Sequence, residues 1–246
     1  MDGVPSKNFM LTTSVTTLTF PIQLGNNGSP YLSQQRVISK FSPKDFVPDG
    51  DISKSEWSAS EKVTFDTSYL PGENFPEAVT EVATLWTGSY FYVAFRSKYT
   101  ELFTYSGEDI SQERWGLWDR DVVEVFVNPF PERANIYREL QVAPNNQWVD
   151  LAIDLDQDPF YDMSWNSGFD HATNVDEQSR FWCCEMRIPL VSLGVDQIKL
   201  GMEWRINFYR ADGPGDDTKR KFLAWSPTAV KTFHAPARFG LLSFEK

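Results

Sequence analysis

The stretch Val122 to Asn128 reads VVEVFVN, with one carboxylate, Glu124, set among valines and a phenylalanine. In an extended chain successive side chains point to opposite faces. Val123, Val125 and Val127 therefore share one face, and Val122, Glu124, Phe126 and Asn128 share the other. The same two-residue period recurs along the chain. Phe91, Val93 and Phe95 alternate with Tyr90, Tyr92, Ala94 and Arg96; Leu140 and Val142 with Tyr137, Glu139 and Gln141. Val149, Leu151 and Ile153 alternate with Trp148, Asp150 and Asp154; Trp204, Ile206 and Phe208 with Arg205, Asn207 and Tyr209. Each run predicts a strand with one apolar and one mixed face.

Turn-rich segments separate these runs: PNNQ at 144–147, NSGFD at 166–170 and ADGPGDD at 211–217. Helical periodicity is scarce, apart from a turn or short helix expected around Pro189–Gly194. Short strands with such punctuation predict an all-β fold, an antiparallel β-sandwich of jelly-roll or immunoglobulin-like kind. At 246 residues one domain suffices. Residues 1–44 are expected to be an N-terminal extension packing on the sandwich, and 45–246 the sandwich itself.

Charge narrows the partners. The chain carries 34 acidic and 23 basic residues, a formal net charge of -11. That balance repels nucleic acid and anionic membranes. No stretch has the apolar length of a membrane span. Residues 1–25 lack the basic start and apolar centre of a signal peptide, which keeps a cytoplasmic location open. Cys183 and Cys184 are adjacent and point to opposite faces of a strand, so free thiols are expected.

The mixed face is the candidate site. Glu124, Glu139, Gln141 and Asn207 are expected to share it, with Tyr137 and Tyr209 among them. Carboxylates, amides and flat rings together suit a saccharide, whose C–H faces stack on rings while its hydroxyls donate and accept at the rim. Trp118, six residues before Glu124, supplies a ring at the loop end of the same strand. The structural alternative is that Trp115 and Trp118 cap the sandwich end and Glu124 pairs with Arg96, Arg138 or Arg205. In PDGDISKSEW (48–57), Asp49 and Asp51 are either cation ligands or turn residues leading to a buried Trp57.

PDGDISKSEW, SYFYVAFR (89–96), WDRDVVEVFVNP (118–129), YRELQVAPNNQWVDL (137–151), WCCEMRIPLVSLG (182–194), WRINFYRADG (204–213), LAWSPT (223–228) and FHAPARFGLLSF (233–244) occur in one order. On these stretches the chain resembles carbohydrate-binding module family 9 and its family-9-like relatives, over roughly residues 45 to 246. The resemblance implies non-catalytic binding of a mono- or oligosaccharide end, in an extracellular or periplasmic protein that handles polysaccharide. It implies two aromatic platforms, at the positions of Trp118 and Phe233. It implies polar partners at Glu124 and Asn207, and a basic residue near Lys219 or Arg220. Glu139 stands where sugar-binding members carry a basic residue, and a close Glu124–Glu139 pair invites a cation or Arg210 between them. No cofactor is required; structural calcium is implied, with Asp49, Asp51 and the DLDQDP run (Asp154, Asp156, Asp158) as candidates.

Three other functions compete. A glycoside hydrolase would use two of Glu124, Glu139, Glu185 and Asp150 as acid and base. A haem domain would need His171 or His234 as a ligand, with His171 expected in a loop. A structural or interaction sandwich would have lost its ligand; the phenylalanine at 233 and the acid at 139 favour it. Motifs for a serine nucleophile, a phosphate-cradling loop or zinc are absent from the sequence.

Overall fold

The computed structural model describes residues 32–106, 109 and 111–246. Within them the alternating runs fold as strands: β1 (Arg36–Phe41), β2 (Lys62–Phe65), β3 (Thr80–Trp86), β4 (Tyr90–Lys98), β5 (Val122–Asn128), β6 (Ile136–Val142), β7 (Trp148–Asp154), β8 (Tyr161–Asp162), β9 (Asp170–Asp176), β10 (Phe181–Pro189), β11 (Glu203–Asp212), β12 (Lys221–Ala224) and β13 (Gly240–Glu245). They follow one hydrogen-bonded path, β8-β7-β6-β5-β11-β13-β1-β3-β4-β10-β9, with β12 branching from β11 and β2 from β3.

The path doubles back on itself as a sandwich. Val123, Val125 and Val127 of β5, Leu140 and Val142 of β6 and Phe208 of β11 share one buried cluster with Val93 and Phe95 of β4 and Cys184 and Met186 of β10. The two halves of the path therefore face each other across this core. Rings lock it: Phe95 meets Phe208 edge-on, with centroids 5.9 Å apart.

Each layer also buries part of its outer face. Outside β5, β6, β7 and β11 lie Val122, Phe126, Tyr137, Val149, Leu151, Ile153 and Tyr209. Outside β3 and β4 lie Ala83, Leu85, Tyr92 and Ala94, with Trp57 packed over them. The mixed faces of the strands are thus roofed by loops. Leu190–Leu193 is a short 3-10 helix, as the turn at 189–194 anticipates.

Two features differ from expectation. β1 lies within the stretch 1–44 expected to be an extension, yet it sits inside the sheet between β13 and β3. The sandwich therefore begins before residue 45. β1 also runs parallel to both neighbours, whereas the other strand pairs are antiparallel. RVISKF is too short and too mixed in period for its sequence to reveal an inner strand. Residues 1–31 of the expected extension lie outside the described residues.

Candidate functional site

Glu124 leaves β5 on its outer face, beside Gln141 of β6 and Tyr209 of β11 in the strand register. Glu139 stands two residues from Gln141 on the same face of β6, opposite Phe126 and Leu151. These residues form the floor of a cavity of about 620 Å³. Leu151 and Ile153 of β7 continue the floor, and Trp115, Trp118, Phe160, Tyr161, Tyr69, Phe222, Phe233 and His234 make the walls.

Each wall is held by local bonding. Trp118 lies in a single 3-10 turn, Leu117–Asp119, that starts from Gly116 at a φ of 77°, a conformation glycine adopts without strain. Buried Leu117 pins the turn, and the Arg220 guanidinium donates to the Trp118 carbonyl at 2.6 Å. Arg220 also reaches the Asp217 carboxylate. Trp115 meets Trp118 edge-on at 4.6 Å and leans on Tyr161 at 5.0 Å. Phe233 stacks on Tyr209 at 4.2 Å and 12° between planes, while the Tyr209 hydroxyl donates to the Phe233 carbonyl at 2.8 Å. Tyr69 and Phe222 meet Phe233 edge-on.

The floor is buried and short of donors. Glu124, Glu139 and Gln141 are 1%, 3% and 1% exposed. Gln141 Nε2 donates to Glu139 Oε1 at 2.5 Å. Glu124 Oε1, Glu139 Oε2 and Gln141 Oε1 have no hydrogen-bond partner among the described residues. A buried acceptor without a donor costs roughly 1–3 kcal/mol, so three in one cavity mark a place kept for something else.

Burial, and then the Glu139 charge, push the Glu124 carboxyl well above the usual carboxylate range against the pull of Arg220. Burial likewise raises Glu139, opposed by its bond from Gln141. Two like carboxylates in one dry site hold protons that either would lose in water. His234 is pushed down to about 4 by burial and is a neutral imidazole at neutral pH. Its Nδ1 pairs with the Tyr137 hydroxyl at 2.7 Å, and its Nε2 lies 4.0 Å from Glu139 Oε2, beyond hydrogen-bond reach.

Of the expected site residues, Trp118, Glu124, Glu139, Gln141 and Phe233 meet at this cavity. Asn207 and Arg210 do not line it. Asn207 pairs with Phe126 on the outer face, but its amide is spent: Nδ2 donates to the Ser226 carbonyl and Oδ1 accepts from the Ser226 and Phe208 amides. Arg210 pairs with Val123 on the inner face, so the alternation of β11 directs it away from Glu124. It lies fully buried, donating to the Ala78 and Lys98 carbonyls and to Asp212. Among the described residues no arginine bridges the two glutamates. Arg96 instead stacks on Phe181, and Arg138 on Trp165.

The remaining candidates scatter. Glu185 sits on the outer face of the other layer, opposite Ala94. Asp150 lies on the inner side of β7, where it accepts from the Ser167 amide at 2.8 Å. Asp49 Oδ1 accepts from the Lys54 ammonium at 2.7 Å, and Asp51 Oδ1 from the Ser53 amide and hydroxyl. The turn holds a lysine where a cation would need to sit. Among the described residues no group of three or more acidic, histidine or cysteine side chains gathers to hold a metal. The DLDQDP run is a surface turn in which Asp154 caps Asp156. His171 is on strand β9 rather than in a loop, its ring between Trp148 and Phe169, with Nδ1 on Asn146 at 2.8 Å. Both cysteines are free.

Sequence reasoning missed much of the wall. Trp115 had a signal in its nearness to Trp118. Tyr69 lies in a bend after β2, Phe160 and Tyr161 at β8, and Phe222 on the short strand β12, and no period marks them.

No curated protein sequence matches the chain. Solved structures do. A Bacteroides uniformis protein assigned to carbohydrate binding aligns with a TM-score of 0.69 at 17% identity, covering 86% of this chain and 99% of that one. A carbohydrate binding module family 9 from Caldicellulosiruptor kristjanssonii, in complex with cellotriose, aligns at 0.61 and 14% identity over 86% and 94% of the two chains. Its glucose complex aligns at 0.61 and 16% identity, over 86% and 96%. At these identities the likeness establishes the fold. The family model described as "Carbohydrate family 9 binding domain-like" matches residues 48–246, and the chain belongs to that family.

Proposed function

We propose that the cavity outside β5 and β6 binds one saccharide unit. The observation that carries this reading is the set of three donorless acceptors beneath a wall of aromatic rings. A sugar ring brings flat C–H surface for the rings and polar hydrogens for the acceptors. Trp118 and Phe233 provide the stacking surfaces, and Glu124, Glu139 and Gln141 take hydrogen bonds from the ligand. Asn207 and Arg210 act by holding the strands and the Ser226 segment in place. Membership of the family supports the reading, as do the sugars bound to the Caldicellulosiruptor modules.

Isothermal titration against a panel of hexoses and cello-oligosaccharides tests it. Trp118→Ala should weaken any binding by roughly 30-fold or more, the loss typical of an anchor residue near 2 kcal/mol. Unchanged affinity in that variant moves the site elsewhere.

Glu124 and Glu139 are the only one of the hydrolase pairings considered that shares this cavity. Burial raises both, so neither offers the ordinary ionised partner that acid–base cleavage requires. Reducing sugar released by the protein and lost in Glu124→Gln would favour catalysis instead.

A further inference from the structure

The floor of the cavity has an excess of acceptors, and the excess defines the ligand further. Glu124 Oε1, Glu139 Oε2 and Gln141 Oε1 all lack donors among the described residues. A neutral hydroxyl brings one donor and two lone pairs, so three hydroxyls would fill these acceptors while adding lone pairs of their own. The floor offers those lone pairs at most the protons that the two carboxyls hold. Gln141 already donates to Glu139, and the nearest guanidinium, Arg220, is committed to the Trp118 carbonyl and Asp217. A protonated primary amine brings three donors and no acceptor.

Charge argues the same way. Two carboxyl groups are buried together, and no arginine or lysine bridges them among the described residues. Lys231 borders the cavity but is exposed. Metal ions need more ligands than the floor gathers.

We infer that the saccharide taken by this cavity is an amino sugar, whose ammonium group sits over Glu124, Glu139 and Gln141. This inference rests on the carbohydrate-binding reading of the same cavity. An amine in that position loses its water to three fixed acceptors, and its charge replaces one of the protons the two carboxyls otherwise hold. N-acetylation removes the charge and two of the three donors, so the acetylated sugar is excluded in favour of the free amine.

The test is titration calorimetry at about pH 6.5, where a primary amine of this kind is protonated. Glucosamine, galactosamine and mannosamine are compared with their parent hexoses and N-acetyl derivatives, on the wild type, Trp118→Ala and Glu139→Gln. At least one amino sugar should bind roughly tenfold or more tightly than its two counterparts, the equivalent of about 1.4 kcal/mol. Trp118→Ala should lose it, and Glu139→Gln should weaken the amino sugar at least roughly tenfold more than the parent hexose, so that the preference disappears. Equal or tighter binding of the hexoses, lost in Trp118→Ala, overturns the amine and leaves the carbohydrate reading standing. Absence of binding by every sugar overturns both. Calcium ions that bind alone and exclude the amino sugars overturn the amine in favour of a cation site.

Discussion

The two outer faces of the sandwich each bury glutamate, and they treat it in opposite ways. On the β4–β10 layer, Glu185 is 1% exposed and meets four donors: the Asp49 and Gly50 amides, the Lys54 ammonium and the Trp57 indole N–H. Gly50 approaches so closely that a Cβ there would lie 2.8 Å from the Thr173 backbone, and its φ of 83° turns its amide inward. On the β5–β6 layer, Glu124 and Glu139 are equally buried and keep acceptors that nothing donates to. The first glutamate is a fastener, closed by its own loop. On the proposed reading the second pair is a socket, closed by a ligand. Burial alone does not tell these two arrangements apart; the donors that meet each glutamate do.

Four experiments break or sharpen this contrast. Glu185→Ala should have the largest effect, about 3–5 kcal/mol of stability lost in urea unfolding, since it leaves the buried Trp57 indole N–H and the Asp49 and Gly50 amides without their acceptor and leaves the half-buried Lys54 with Asp49 alone. A loss below about 1 kcal/mol would erase the fastener. Asn207→Ala should cost about 1–3 kcal/mol, because the Ser226 backbone loses both bonds, while any sugar affinity stays within about twofold. A larger fall in affinity would return Asn207 to the binding face.

Glu139→Gln should move stability the other way. A carboxyl with a raised folded value binds more protons folded than unfolded. Its contribution is complete below the ordinary glutamate value of 4.5 and disappears as pH rises through the folded value. Wild-type stability should therefore fall across that rise, and Glu139→Gln should flatten the fall and gain about 1 kcal/mol at its alkaline end. Parallel pH profiles for the two proteins would mean that the floor carboxyl is already satisfied. Asp49→Asn should matter least, within about 0.5 kcal/mol, because its ion pair with Lys54 is exposed and Glu185 retains the lysine. A greater change in melting temperature, especially one that depends on added calcium, would give the turn the metal role its geometry lacks.

The sequence carried the strands and the floor, because both obey a period of two. Val123 and Glu124 fall on opposite faces whatever their neighbours do, and Trp118 lies six residues away on the same run. Arg210 fails on the same rule: it follows Tyr209 by one residue and must face the other way. Asn207 lies on the correct face, and only the path of the chain at Ser226, 19 residues on, decides that its amide is occupied. β1 was hidden because its partners, β13 and β3, are far along the chain. The walls depended on where five separate segments converge, which no local pattern encodes.

The parallel strand β1 has a consequence at the rim of the molecule. Two separate sheets packed as a sandwich present four borders where a foreign strand can dock. Here β1 stitches the layers into one path, and the Thr67–Tyr69 segment, bonded to β12, closes the gap beside it. Among the described residues the path ends at β8 and β9. The first is two residues long, and the second carries Asp170 and Asp176 at its ends. Brevity at one end and charge at the other discourage strand-to-strand aggregation, so the chain can keep an aromatic-walled cavity without offering its backbone to other copies.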